Sequence, residues 1–252
     1  GGAATGKTSS FKIDQDSIKV QLKTQSGLFK KPFKITNTGE TVLEIFIEAE
    51  DALKDILWFP ESSFKLNKGE EKIYDLNIIA KSGIAPGVYI GNILLKAGDL
   101  LKVIKTVIEI ESEKVLFDIS LEIPLDYKTV KPGQEFILQA TLLNIGGLSD
   151  VEVLVEYIIK NSKGETIVQE QETITVGTQA QFSKKFLLPK DLPLGEYVVL
   201  AIVKYEDSVG TSSESFSVGE KISKDVADIK KTANKTLMLI PIFIILAALL
   251  II

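Results

Sequence analysis

The chain has 252 residues, 45% of them hydrophobic and 25% charged, with a net charge of −5. That length suits one large domain or two of ordinary size, and the composition supports packed cores and excludes general disorder. All 29 basic residues are lysine, and histidine and cysteine are absent. Disulfides, thiolate and imidazole chemistry, and arginine-based reading of phosphates or bases are therefore excluded, which leaves few enzyme classes and no nucleic-acid face.

The first stretch, 1–9, reads as a flexible segment of small residues. Its Gly1-Gly2-Ala3-Ala4-Thr5-Gly6-Lys7-Thr8 satisfies the P-loop pattern, in which backbone N–H groups cradle phosphates and Lys7 reaches the terminal ones. That chemistry needs a strand before the loop and a helix after it. Residues 11–14 and 17–22 instead alternate like strands, so no nucleotide and no other cofactor is expected.

From 10 to 112 the pattern is that of short strands. Ile18, Val20 and Leu22 alternate with polar residues, as do Phe33 and Ile35, then Ile45 and Ile47. Turn signals interrupt them at Asn37-Thr38-Gly39, Asn67-Lys68-Gly69, Pro86-Gly87 and Ala97-Gly98-Asp99. Between 52 and 58 there is room for one turn of helix. Asp14, Asp16, Glu48, Glu50 and Asp51 are calcium candidates because loop carboxylates supply the hard oxygens that ion needs, but solvated acids at strand ends are the default reading. No pair of carboxylates has a spacing that predicts glycosidase geometry. Trp58, the only tryptophan, is either packed against the fold or an exposed platform for a glycan or another chain.

From 113 to 218 the pattern repeats. Val153 and Val155 alternate, and turns fall at Lys131-Pro132-Gly133, Asn144-Ile145-Gly146-Gly147 and Asn161-Ser162-Lys163-Gly164. Gly69, Gly87, Tyr89 and Ile110 recur 108 residues later as Gly177, Gly195, Tyr197 and Val218, while Asn37 and Gly39 recur after 107 as Asn144 and Gly146. Such a period matches one sandwich of ~100 residues, so two homologous modules meet near 112–114.

The motif Ser63-Phe64-x-Leu66-x-x-Gly69-Glu70, followed by Ile84-Ala85-Pro86-Gly87-x-Tyr89-x-Gly91-x-Ile93, resembles the immunoglobulin-like modules of prokaryotic, especially archaeal, exported surface proteins. Val130-Lys131-Pro132-Gly133 with Leu142-Leu143-Asn144-Ile145-Gly146 is similar to the cell-adhesion-related domain CARDB. The resemblance implies an all-β chain of two tandem immunoglobulin-like β-sandwiches in a non-enzymatic surface protein. It carries over no catalytic residue.

Residues 219–235 change character: Ile222, Val226, Ile229 and Ala233 recur at helical spacing among lysines and aspartates, which suggests a short helical stalk, with a solvated linker as the alternative. From 236 the chain is uncharged and almost wholly apolar, LMLIPIFIILAALLII over 237–252. Sixteen helical residues rise about 24 Å against roughly 30 Å of hydrocarbon, so 236–252 is expected to be a single transmembrane helix. Lys221, Lys224, Lys230, Lys231 and Lys235 before it argue for cytoplasmic sandwiches. Large exported domains cross regardless of such charge, and the family resemblance favours the outside. The expectation is thus a membrane-anchored protein with extracytoplasmic sandwiches that bind protein or glycan in a structural, adhesive or stalk role. The competing expectation is a cytosol-facing, tail-anchored adaptor that captures peptides.

Overall fold

The computed structural model describes residues 8–81 and 83–220, and these are strands joined by turns. The first nine strands are β1 (Phe11–Ile13), β2 (Ser17–Lys23), β3 (Gly27–Asn37), β4 (Leu43–Ala49), β5 (Leu57–Trp58), β6 (Ser63–Leu66), β7 (Glu71–Ala80), β8 (Gly87–Ala97) and β9 (Leu100–Glu111). They form two facing sheets, ordered β1-β3-β7-β5 and β2-β9-β8-β4-β6. The opening strand divides between them: β1 pairs antiparallel with β3, and after a short bend β2 runs parallel to β9. The strict alternation of β2 and β4 decides which side faces in, and Ile18, Val20, Leu22, Leu43, Ile45 and Ile47 all lie in the core between the sheets.

The next eight strands repeat the plan. They are β10 (Phe117–Glu122), β11 (Thr129–Val130), β12 (Glu135–Asn144), β13 (Val151–Asn161), β14 (Thr166–Val176), β15 (Gln179–Leu187), β16 (Gly195–Tyr205) and β17 (Ser208–Val218). Their sheets are ordered β10-β12-β15 and β11-β17-β16-β13-β14, with β11 parallel to β17 as β2 is to β9. The second core is richer in aromatics, with Phe136 stacked on Phe216 at 4.3 Å and Tyr157 edge-on to Phe186 at 5.9 Å.

The repeated residues sit at the corners that define this plan. Gly87 pairs with Ile110 and Gly195 with Val218, the first rungs of the two final hairpins. Tyr89 then donates its hydroxyl to the Ala85 carbonyl at 2.7 Å, and Tyr197 donates to Pro193 at 2.9 Å. A tyrosine that bonds back to the upstream chain at this strand is the corner found in immunoglobulin-like sandwiches. Asn37 Nδ2 ties the carbonyls of Thr41 and Leu66, and Asn144 Nδ2 ties those of Leu148 and Gly177. In both modules the following turn docks on the incoming chain: Gly39 N–H bonds Ser10 O, and Gly146 N–H bonds Leu116 O. The fold is all-β and immunoglobulin-like, twice over.

The arrangement of the two sandwiches was not foreseen. Their five-stranded sheets pack face to face through a third apolar cluster outside either core. Val88, Ile90 and Val107 of the first sandwich meet Val198, Leu200 and Ile202 of the second. Residues 198–203 are buried on both faces of β16, so this strand reads as an unbroken apolar run where alternation would mark one wet side. Each buried aliphatic contributes about 1.5–3 kcal/mol at most to that contact. At the predicted boundary Ser112 is buried, with its N–H bonded to Val209 O at 3.0 Å, and Leu116 N–H bonds the Ser208 hydroxyl at 2.8 Å.

Within 52–58 the expected helical turn is a single 3-10 turn, Asp51–Leu53, followed by β5. Among the described residues no helix is long and apolar enough to cross a membrane. The predicted stalk, apart from Gly219 and Glu220, and the predicted transmembrane segment 236–252 lie outside the described residues, as do residues 1–7 of the P-loop-like stretch.

Candidate binding surface

Leu57 points into the first core, so its neighbour Trp58 points out from the β1-β3-β7-β5 sheet, and 54% of it is exposed. Its rung is Trp58, Asn77 and Lys30, read across β5, β7 and β3. The same outer face carries Ile73, 71% exposed, and Leu28, 53% exposed. Beside this rung lies a groove of about 300 Å³ lined by Lys30, Pro60, Ile73, Asp75 and Asn77 among others. Tyr74 underlies it, bonding Glu61 O at 2.6 Å, and burial pushes its phenol up to about 12. Asn77 itself is buried, and its Oδ1 has no hydrogen-bond partner among the described residues.

Of these residues only Trp58 was singled out in the sequence. The signal for the rest was present in β7, where the outward series Ile73, Asp75, Asn77, Ile79 places isoleucines on a face that alternation should leave polar. The groove itself depends on the β3–β7 register and was not readable.

Four of the five calcium candidates fall to separate partners. Asp14 Oδ1 accepts the Lys34 N–H at 2.8 Å, and Glu50 Oε2 accepts both the N–H and the side-chain amide of Asn92. Glu48 pairs with Lys96 across β4 and β8, and the equivalent Glu156–Lys204 pair recurs 108 residues later at 2.7 Å. Asp51 pairs with Lys54, which holds its carboxyl below the ordinary range. Asp16 lines a cleft between the sandwiches. Among the described residues no three acidic side chains gather as a metal group.

The seam between the sandwiches is apolar in its middle and polar along one margin. Buried Glu109 accepts the Ser213 hydroxyl at 2.5 Å and pairs with Lys19 at 3.1 Å. Buried Glu111 accepts the Thr211 N–H at 3.2 Å, and burial, aided by Asp118, raises its carboxyl above the ordinary range. Asn92 Nδ2 reaches Ser162 O at 3.3 Å, in the turn that closes β13 and β14. Two clefts open at the ends of the seam. One, of about 600 Å³, includes Gln25, Lys81, Glu113, Lys114 and Glu206; the other, of about 300 Å³, includes Asp16, Lys105, Ser162 and Glu196.

No protein-family model and no curated protein matches the chain. Solved structures do. A Porphyromonas gingivalis protein of unknown function is 10% identical with a TM-score of 0.45, covering 81% of this chain and 98% of its own. The CARDB domain of a Pyrococcus furiosus protein, in complex with di-metal ions, is 14% identical with a TM-score of 0.29, covering 40% of this chain and 91% of its own. PapD-like domain 7 of human CEP192 is 9% identical with a TM-score of 0.34, covering 41% and 87%. Likenesses this loose add nothing to the strand order, paired corners and shared register, and on those features the described chain is a tandem of immunoglobulin-like sandwiches.

Proposed function

We propose that this is a non-enzymatic, membrane-anchored surface protein whose two sandwiches act as one rigid binding body. The C-terminal apolar segment serves as the anchor, and the sandwiches lie outside the membrane. The observation that carries the binding-body reading is the buried cluster of Val88, Ile90, Val107, Val198, Leu200 and Ile202. Modules that swing independently keep such strand faces wet and polar; here the two modules bury them against each other. A fixed body of this kind suits adhesion or the raising of a recognition surface above the bilayer.

The test is labelling of lysines on intact cells with a membrane-impermeant amine reagent, followed by peptide mapping. Exposed Lys30, Lys65 and Lys163 are expected to react. Labelling confined to permeabilised cells would instead support the cytosol-facing adaptor.

A further inference from the structure

We propose that the outer face of the β1-β3-β7-β5 sheet binds a neutral polysaccharide, with Trp58 as the stacking platform and the adjoining groove as the hydroxyl-reading site. The inference rests on the outward-facing reading above.

Three independent features meet on this face. The first is apolar surface left in water, since Trp58 is 54% exposed on a strand whose neighbour Leu57 is buried in the core. The indole of a tryptophan exposed on a sheet can offer its π face to the C–H side of a pyranose ring. The second is the groove of about 300 Å³, which begins one residue from Trp58 on the same rung, at Asn77 and Lys30. The third is the Asn77 carboxamide oxygen, which lacks a donor although the residue is only 2% exposed. A buried acceptor left without a partner costs about 1–3 kcal/mol, and a polar group in that state at a groove calls for an explanation. Turned toward the groove that Asn77 lines, that oxygen would accept from a ligand hydroxyl.

The charges of the groove select the class of ligand. Lys72 is matched by Glu61 at 2.8 Å, which leaves Lys30 and Asp75, one donor and one acceptor of opposite sign, both exposed and without an ion-pair partner among the described residues. Such a pair reads vicinal hydroxyls and gives no advantage to an acidic sugar or a phosphate. A protein partner would call for an apolar centre ringed by polar residues. Here Trp58 and Ile73 flank a groove whose other lining is mostly polar, the arrangement that suits a ligand apolar on its faces and polar at its rim.

The experiment uses the full chain in a zwitterionic detergent without a sugar headgroup. Trp58 is the only tryptophan, so its emission reports this surface alone. Soluble glucan, mannan and xylan oligosaccharides are titrated, and retention on the parent polysaccharides is measured by affinity electrophoresis. At least one series is expected to shift the emission saturably to shorter wavelength. Trp58→Ala is then expected to weaken retention about tenfold or more, with smaller losses for Lys30→Ala and Asp75→Asn. These last two side chains are exposed, so they carry the test even if Trp58→Ala lowers the yield of folded protein. The proposal is overturned if no saccharide in the panel binds, if retention is unchanged in all three variants, or if Trp58-dependent binding goes to phosphatidylcholine vesicles instead. Surface labelling that succeeds while every saccharide fails overturns this inference alone and leaves the proposed function standing.

Discussion

The two sandwiches share their corners and differ, among their connections, in the one that follows β4 and β13. In the first, residues 50–62 leave the end of β4, make a 3-10 turn, lay β5 along the edge of β7 and return as β6. Leu53, Ile56 and Leu57 of that segment complete the core, and Trp58 and Pro60 ride outside. In the second, the turn 162–165 leads directly to the long β14, and β15 has no strand beyond it. That side is guarded by Lys184, which bridges Glu170 at 3.1 Å and Glu172 at 3.4 Å above the Tyr157 ring. Inward-leaning charge on open strand edges discourages pairing with another chain. The fold thus resides in what repeats, and the candidate binding chemistry in what does not.

Removing Leu53 breaks this contrast most directly. Leu53 is fully buried, with its side chain under Gly91. Leu53→Ala is expected to cost about 2–5 kcal/mol in urea titration, a loss specific to the connection that sandwich two lacks. The shared corners supply a matched pair. Asn37→Ala and Asn144→Ala each strand two carbonyls and should cost about 1–3 kcal/mol apiece. Markedly unequal losses would show that the asparagines do not do the same work.

The turn of the second sandwich tests the joint. Gly164 has φ +82°, and a Cβ there would stand 2.7 Å from Ile90 O of the first sandwich. Gly164→Ala should cost about 1–2 kcal/mol from backbone strain, and the clash should loosen the seam. Faster proteolysis between 112 and 116 checks this. A variant that melts lower yet leaves cleavage there unchanged would locate the damage within sandwich two.

The smallest effect concerns pH. Glu111 has its carboxyl raised in the folded seam, so the folded state holds its proton more tightly than the unfolded chain does. Its penalty is absent below the ordinary carboxylate value and grows as pH rises through the raised folded value, so stability falls over that window. Glu111→Gln should flatten this slope in melts taken between acidic and neutral pH. An unchanged slope would assign it to other groups.

Much of the fold was legible because local and global demands agree. The alternation of Ile18, Val20 and Leu22, or of Ile45 and Ile47, sorts side chains between core and solvent without knowledge of their partners. The spacing of 108 between Tyr89 and Tyr197 marks the same corner twice because each hydroxyl bonds only four residues back. The candidate site was legible only as a lone tryptophan. Lys30 and Asn77 are 47 positions apart in the chain and become neighbours through the β3–β7 register. Glu48, readable as a metal ligand, is a strut of an ion pair that both sandwiches use.

The sequence by itself determined two cores and the turns that enclose them, since period and turn chemistry act over a few residues. Tertiary structure alone decided that Val88 and Val198 would be covered by the other sandwich while Trp58 would stay in water. All three are apolar and lie on strands; the unbroken apolar run of β16 marks Val198 as lying on a strand covered on both faces, but neighbours along the chain do not say what covers it. A residue on the outer face of a sheet is dry only if a distant surface of matching shape comes to meet it. That meeting depends on contacts scattered across the whole chain.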